Sequence, residues 1–175
     1  MSLSSHKIYG PKGIGCVYIN RNKMRNKILP IIFGGDHERG LRPGTLPTHN
    51  IVGFGEACKI ARENMNQYTE QINNLQNKLL ENLITEYPNL IINGSIKNRI
   101  PGNLNLTFPN LKGKSLVKNL KEIAVSSGSA CTTSLPTPSH VLQAIGLKKT
   151  YINSTIRIGI GKFNTLQDIK LASQH

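Results

Sequence analysis

Apolar residues recur along one long stretch of the chain at the spacing of a helix face. Between about residues 50 and 87 they follow one another at intervals of three and four positions: Ile72, Leu75, Leu79 and Leu83. Because this spacing brings the side chains onto one side of an α-helix, the pattern predicts one or two long helices. Pro88 marks the end, since proline does not continue a helix.

A short apolar run near the start of the chain predicts a strand. Residues 14–19, Ile-Gly-Cys-Val-Tyr-Ile, are rich in β-branched side chains and lie between glycine and asparagine. This pattern is typical of a buried strand. Because the run is apolar on both faces, it calls for neighbours on each side, as in a mostly parallel sheet. Few partners for it exist in this chain, so we expect exposed apolar edges before about residue 45.

The second half of the chain alternates short strands with short helices. Strands are predicted at 90–92, 104–108, 123–125 and 155–160, and helices at 115–121, at 139–145 and from 165 onward. The order strand, strand, helix, strand indicates a compact α+β unit. A stretch of small residues at 126–134, Ser-Ser-Gly-Ser-Ala-Cys-Thr-Thr-Ser, interrupts the pattern and is typical of a mobile loop.

The charge balance widens the set of partners to consider. The 175 residues carry 22 Lys and Arg against 9 Asp and Glu, a formal net charge of +13. Such a surface attracts RNA, acidic proteins and phosphorylated ligands. The basic residues are scattered, however, and no Arg-Gly repeat or paired-cysteine zinc spacing accompanies them. A solvated basic face is therefore favoured, and a nucleic-acid site stays as the alternative.

The three cysteines point to free thiols in a reducing cytosol, because their number is odd and their spacings are wide. No apolar run is long enough to span a bilayer, so we expect a cytoplasmic protein that does not bind a membrane. Cys16 lies in an apolar strand and Cys58 in a helix, where we expect them to be buried. Cys131 lies in the polar loop and should be the most reactive thiol.

Lys7 has neighbours that favour a role beyond that of a solvated surface charge. Ser4, Ser5 and His6 precede it and a glycine-rich turn follows. Hydroxyls and closely approaching backbone amides can surround a phosphate. A lysine beside phosphate-binding groups is what covalent binding of pyridoxal phosphate requires.

Two further candidate sites contain arginine. Residues 36–45, Asp-His-Glu-Arg-Gly-Leu-Arg-Pro-Gly-Thr, form a charged loop. Adjacent residues such as His37, Glu38 and Arg39 do not share one face, so a loop stabilised by ion pairs is favoured over a metal site. Arg157 offers a planar guanidinium that binds a carboxylate with two hydrogen bonds, and the alternative for it is a structural ion pair.

Four segments resemble the cysteine desulfurases of the IscS/NifS kind. Residues 4–15, Ser-Ser-His-Lys-Ile-Tyr-Gly-Pro-Lys-Gly-Ile-Gly, are similar to the family's cofactor-lysine segment. Residues 35–45 resemble its Gly-His-Glu-Arg-Gly-x-Arg-x-Gly-Thr loop, and residues 126–131 resemble its persulfide loop. Residues 154–157 resemble the strand that carries its substrate-carboxylate arginine. The four occur in the family's order.

The resemblance implies an α/β fold, that of the fold-type I pyridoxal-phosphate-dependent transferases. Residues 1–48 would be the carboxyl-terminal part of the large domain, and residues 49–175 a long connecting helix with a small α+β domain. The implied activity is removal of sulfur from L-cysteine, giving alanine and a protein persulfide for iron-sulfur cluster assembly and tRNA thiolation.

The resemblance also assigns roles to individual residues. Lys7 would hold pyridoxal 5'-phosphate, with Ser4, Ser5 and His6 as cofactor-binding neighbours. Thr45 would bind the phosphate from the neighbouring subunit, which implies a homodimer. Cys131 would carry the persulfide and make a transient iron-sulfur contact. Arg157 would bind the substrate carboxylate. The implied partners are an iron-sulfur scaffold, sulfur-acceptor proteins and tRNA-modifying enzymes.

The sequence departs from the family in several places. Family members are considerably longer, and the portion that this chain lacks precedes Lys7. Asp36 stands where the family usually has glycine, and Pro43 where it often has serine. One alternative is half of a split enzyme that a separate amino-terminal polypeptide completes. The other is an inactive truncated remnant that acts only as a partner-binding or basic RNA-binding module.

Overall fold

The computed structural model describes residues 1–20, 22, 28–111, 116–126 and 139–174. The chain packs as two units, residues 1–65 and residues 66–175. The division falls inside a long helix, beyond the boundary at residue 48 that the sequence suggested. None of the described helices is long and apolar enough to cross a membrane.

The first unit begins with a β-hairpin. Strand β1, Ser2–Ser4, pairs antiparallel with strand β2, Gly15–Val17, and Leu3 lies opposite Cys16. All residues of both strands are exposed. The prediction of a buried strand in a mostly parallel sheet is therefore wrong for this chain, because β2 pairs only with a short polar strand.

Apolar exposure before residue 45 is confirmed. Val17 is 66% exposed, and in the segment that follows Ile31 is 92% and Phe33 83% exposed. Monomeric soluble proteins seldom expose so many large apolar side chains close together in sequence, and such surfaces favour association.

Helix α1 extends from Thr48 to Glu86 and confirms the predicted long helix as one continuous element. In the first unit it buries Phe54 and Ala57. In the second unit, one face of the helix carries five buried residues: Leu75, Gln76, Leu79, Leu80 and Leu83. The helix ends two residues before Pro88, as the sequence predicts.

The second unit is built on a three-stranded antiparallel sheet. Its strands are β3, Ile91–Ile92, β4, Asn103–Thr107, and β5, Thr155–Gly159, with β4 in the centre. Leu104 and Leu106 of β4 are fully buried and belong to one apolar core with Leu79 of α1. The α+β organisation predicted for this region is confirmed.

Three short α-helices occur in the described part of the second unit. They are α2, Leu116–Asn119, α3, His140–Ala144, and α4, Leu166–Gln174. The predicted strand at residues 123–125 is wrong, because the backbone bends there and only Ser126 pairs with the sheet. Ile123 and Val125 are half-buried, which accounts for their apolar character without strand pairing.

Helix α4 begins with a reciprocal pair of hydrogen bonds. The backbone N–H of Thr165 donates to Asp168 Oδ2 over 2.8 Å, and the backbone N–H of Asp168 donates to Thr165 Oγ1 over 3.3 Å. This is a capping box in which aspartate takes the place of the usual glutamate. The hydrogen bond that the Asp168 carboxylate accepts from the backbone of Thr165, followed by those from the side chains of Asn164 and Thr165, lowers the pKa of Asp168 below its ordinary value.

We expect Asp168→Asn to reduce the stability of α4 at neutral pH, because the ionised carboxylate is the better acceptor at a helix start. Because the pKa of Asp168 is lower in the folded than in the unfolded chain, the ionised carboxylate stabilises α4 fully above the ordinary aspartate pKa of about 3.9. This stabilisation is lost as the pH falls through the pKa of Asp168 in the folded chain. Hydrogen exchange of the α4 amides at pH 6 and near pH 3 measures this. Wild type should lose protection at low pH more than Asp168→Asn does; equal losses would contradict the assignment.

Candidate functional site

Lys7 lies in the connection of the amino-terminal hairpin. A single turn of 3-10 helix, Ser5–Ile8, follows β1 and ends at Tyr9, whose φ is +66°. The backbone N–H of Gly10 donates to Ser5 O over 3.0 Å, and that of Ser5 donates to Ile14 O over 3.1 Å. These bonds close the turn and fix the backbone that carries Lys7.

Four residues of this segment are predicted to bind the cofactor; three of them are exposed and one is buried. Ser4, His6 and Lys7 are exposed, whereas Ser5 is fully buried. The Ser5 hydroxyl has no hydrogen-bond partner among the described residues. A Cβ on Gly10 would collide with Ser5 Oγ and lie 3.0 Å from Ala57 Cβ. The Ser5 side chain is therefore packed beneath the turn against Gly10.

The turn approaches the start of α1 closely. A Cβ on Gly53 of α1 would lie 2.8 Å from Pro11 Cγ, so only glycine at 53 leaves room for the proline ring. This contact and the burial of Ala57 beside Gly10 anchor the lysine-bearing turn to the helix. The glycines near Lys7, which the sequence suggested as phosphate-contacting residues, act at least in part through packing.

The loop that ends at Thr45 has an unusual backbone. Glu38 and Arg39 have φ of +52° and +61°, and Gly40 follows with +76°. The left-handed region costs a non-glycine residue about 1–2 kcal/mol, and such strain clusters at functional sites. Within the described parts of the chain, no ion pair involves this loop, so the prediction of a loop stabilised by ion pairs is wrong. Thr45 itself is exposed.

Arg157 lies on β5 and its side chain is exposed. Its backbone N–H donates to Ser126 O over 2.6 Å, and the N–H of Ser126 donates to Arg157 O over 3.1 Å. Within the described residues the guanidinium forms no ion pair, which removes the structural ion pair proposed as its alternative role. The guanidinium is therefore available to an anion.

Arg157 belongs to a row of polar residues across the sheet. Asn93, just after β3, lies opposite Asn105 of β4. Asn105 in turn lies opposite Arg157 of β5, and Arg157 pairs on its other side with Ser126. The side chains of directly opposed residues share one face of a sheet. Asn93 Nδ2 donates to Asn105 Oδ1 over 2.7 Å. The alternation of polar and apolar residues at 103–107 is the sequence signal from which this row could have been predicted.

The cysteines do not all lie where the sequence suggested. Cys16 and Cys58 are both exposed, so the expectation that they are packed is wrong. Cys58 follows the buried Ala57, and one residue along a helix turns the side chain by about 100°, away from the buried face. Cys131 and the loop around it lie outside the described residues. In the described part of the chain, no group of three metal-ligating side chains occurs.

A family comparison places these residues in context. The model of the class-V aminotransferases matches residues 1–171. This chain belongs to the class-V aminotransferases. The fold-type I architecture that the resemblance implied is thereby confirmed.

Curated relatives of this class-V aminotransferase chain carry a common name. It is 47% identical over 98% of its length to the cysteine desulfurase IscS of Rickettsia typhi, of which it spans 42%. It is 46% identical, again over 98% of its length, to the mitochondrial cysteine desulfurase of Arabidopsis thaliana, of which it spans 38%. The chain thus spans less than half the length of these relatives.

Solved structures of the class-V aminotransferases agree with the fold. A NifS-like protein from Rickettsia africae superposes with a TM-score of 0.82 and 31% identity, and the match covers 99% of this chain and 45% of that protein's chain. A structure titled SspA in complex with cysteine superposes with a TM-score of 0.64 and 36% identity, and the match covers 94% of this chain and 44% of that protein's chain.

Proposed function

We propose that this chain forms the part of a cysteine desulfurase that carries the cofactor lysine, the persulfide cysteine and the substrate-carboxylate arginine. The observation that carries the proposal is the 47% identity to cysteine desulfurases over 98% of the chain. Two observations support it: Lys7 is exposed in a closed turn, and the guanidinium of Arg157 forms no ion pair with any described residue. The activity is that of the relatives, of whose length this chain spans less than half.

Pyridoxal 5'-phosphate fits the residues around Lys7. The segment offers an amine at Lys7, a hydroxyl at Ser4 and an imidazole at His6, all exposed and near no described carboxylate that pairs with them. When bound, this cofactor supplies an electron sink for the substrate α-carbon. Lys7 Nζ would hold the cofactor and later move the proton at that carbon.

Ser5 supports the turn in this proposal instead of contacting the phosphate. Its side chain is fully buried and packs against Gly10. A buried hydroxyl without a partner costs about 1–3 kcal/mol, and the tight packing against Gly10 offsets part of that cost. Thr45 is assigned to the phosphate of the neighbouring subunit in a homodimer.

Arg157 would bind the carboxylate of L-cysteine and Cys131 would take the sulfur. The Cys131 thiolate attacks the sulfur of the substrate, so an S–S bond forms and the substrate Cβ–S bond breaks. The bonding electrons go to the substrate carbon, which takes a proton and yields alanine. Ser126 is held to Arg157 by two backbone hydrogen bonds. Cys131 follows five residues later, a reach on the order of 17 Å at full extension.

The proposal extends to the place of this chemistry in the cell. We assign the chain to the cytoplasm, with the persulfide delivered to sulfur-acceptor proteins, an iron-sulfur scaffold and tRNA-modifying enzymes. A transient iron-sulfur contact at Cys131 belongs to the same delivery step. The net charge of +13 suits acidic acceptors. The same charge favours the second candidate, a partner-binding or basic RNA-binding module without catalysis.

Borohydride trapping tests the cofactor lysine. We expect the full chain, incubated with pyridoxal phosphate and then reduced, to carry the cofactor mainly on Lys7, identified by peptide mass spectrometry. Lys7→Ala should lose at least about 90% of this labelling, since the turn presents that amine next to its phosphate-binding groups. The matched control is Lys12→Ala, which removes an exposed lysine of the same hairpin.

The control variant should label as wild type does. Labelling spread evenly over the many lysines, or unchanged in Lys7→Ala, would leave the non-catalytic module as the better function.

A further inference from the structure

A directed chain of hydrogen bonds runs beside the polar row, on the same face of the sheet. Asn93 Nδ2 lies 2.8 Å from Thr107 Oγ1, and Thr107 Oγ1 lies 2.6 Å from Thr155 Oγ1. The chain ends at the backbone oxygen of Tyr151, which lies 2.7 Å from Thr155 Oγ1. Thr107 and Thr155 are 0% and 1% exposed, so water does not substitute for any member of the chain.

The Tyr151 carbonyl sets the direction of every bond in this chain, because a carbonyl only accepts. Thr155 must donate its single hydroxyl hydrogen to Tyr151, so Thr107 must donate its own to Thr155. Thr107 must then accept from Asn93. The NH₂ group of Asn93 consequently faces both Thr107 and Asn105.

Asn105 therefore has a fixed amide orientation. Its Oδ1 accepts from Asn93 Nδ2 over 2.7 Å, and a flipped amide would set two NH₂ groups against each other. With Oδ1 directed toward β3, Nδ2 is directed away from that strand. Among the described residues, Nδ2 donates no hydrogen bond to another group.

The cross-strand neighbour of Asn105 on the side away from β3 is Arg157. The two residues are direct cross-strand partners in the β4–β5 register. The N–H of Phe108 donates to Ser154 O and that of Ile160 to Gly102 O, so the intervening Asn105 and Arg157 form a non-hydrogen-bonded pair. Cα atoms of such pairs are about 4.5 Å apart and their side chains lie close together.

On this face, the described strands β4 and β5 carry hydrogen-bond donors and no acidic side chain. The side chains that β4 and β5 place on it come from Asn103, Asn105, Thr107, Thr155 and Arg157. Arg99 binds the edge of the row, donating to Asn93 O over 2.7 Å and to Asn103 O over 3.0 Å. A carboxylate next to Arg157 thus meets no like charge from these strands.

The geometry points to Asn105 as a second ligand of the substrate carboxylate, with its Nδ2 donating to one carboxylate oxygen while the Arg157 guanidinium binds both. This inference rests on the proposed role of Arg157 and adds a residue to it. The occupant is the α-carboxylate of free L-cysteine. A guanidinium and an amide that approach from different directions fix the rotation of the carboxylate as well as its position.

Asn105→Asp tests this inference with little change in shape. The aspartate still accepts from Asn93, so the hydrogen-bond chain is kept, but the donor is lost and a like charge faces the ligand. NMR signals of Asn105 Nδ2 and Arg157 Nε in the full chain are followed during titration with L-cysteine. Cysteamine, which lacks the carboxylate, is the control ligand. Asn103→Asp is the matched variant, because it places the same charge on the same face two residues away.

We expect L-cysteine, and not cysteamine, to shift both wild-type signals. Asn105→Asp should weaken the apparent Kd for L-cysteine at least tenfold, against less than threefold for Asn103→Asp. Amide exchange in β4 and β5 should stay as in wild type, since a purely structural role would show there. A Kd within twofold of wild type in Asn105→Asp, or no carboxylate-dependent shift in wild type, would overturn the inference.

The outcome is separable from that of the proposed function. Arg157→Gln should also weaken L-cysteine binding at least tenfold. If it does and Asn105→Asp does not, Arg157 keeps its role and Asn105 has none. The borohydride experiment on Lys7 is independent of both variants, so failure there bears on the cofactor and leaves this result unaffected.

Discussion

Replacing Leu79 by alanine is expected to lower the free energy of unfolding of the second unit by about 3–5 kcal/mol. Leu79 is 1% exposed and lies in the core between α1 and the sheet, among Leu104, Leu106 and Ile156. Truncation removes buried apolar contacts and leaves a cavity that rigid neighbours fill only in part. Urea unfolding followed by circular dichroism measures the change.

Ile84→Ala is the matched control, because Ile84 lies on the same helix and is 46% exposed. Its replacement should lower the free energy of unfolding by less than about 1.5 kcal/mol. A loss below that value for Leu79→Ala would mean that the core around α1 is misassigned.

Gly102→Ala is expected to destabilise the second unit by about 2–4 kcal/mol. Gly102 has φ of +78°, and a Cβ there would collide with the backbone oxygen of Ile160 and lie 2.7 Å from Ile72 Cγ2. Its N–H also donates to Gln76 Oε1 over 3.0 Å, and its carbonyl accepts from Ile160 N over 2.8 Å. The chain here passes too close to α1 and β5 for a side chain. Urea unfolding again provides the measurement.

Gly146→Ala separates the two causes. Gly146 has φ of +83°, but among the described residues, its chain neighbours apart, no heavy atom lies within 4 Å of a Cβ built there. Its replacement should therefore cost only the backbone strain, about 1–2 kcal/mol. Equal losses for the two variants would show that the close approach at Gly102 contributes nothing.

Periodic burial made the second unit predictable from sequence. The spacing of Leu75, Leu79 and Leu83 predicts α1 and its buried face, and both agree with the structure. The strand predicted at 104–108 likewise agrees with β4, in which Leu104 and Leu106 are buried. In these segments the local pattern and the tertiary packing require the same residues to be buried, so the pattern alone suffices.

Where pattern and packing diverge, the sequence misleads. Residues 14–19 are apolar on both faces, yet β2 has only a short polar strand beside it and stays exposed. Residues 123–125 have strand-like composition, but a bend leaves only Ser126 in register with Arg157. Neither a missing neighbour nor a local bend is encoded in the hydrophobicity of the segment itself.

The candidate site was found by motif and refined by geometry. The motifs supplied Lys7 and Arg157, and exposure of both agrees with binding roles. The motif treated Ser5 like its neighbours, and only burial against Gly10 sets it apart. Asn105 carries no motif, because its proposed role depends on cross-strand pairing with a residue 52 positions later in the sequence.

The continuity of α1 limits how the protein can be dissected. The boundary between the packing units falls after Met65, in the middle of a helix that extends from Thr48 to Glu86. A fragment that starts at residue 66 would begin with four backbone N–H groups without helical partners and with no capping residue before them. A fragment that ends at residue 65 would stop in the middle of the helix and leave its last four backbone carbonyls without helical partners. The natural position for a cut, a tag or a permuted terminus is the segment just before Thr48, where the helix already has its own beginning.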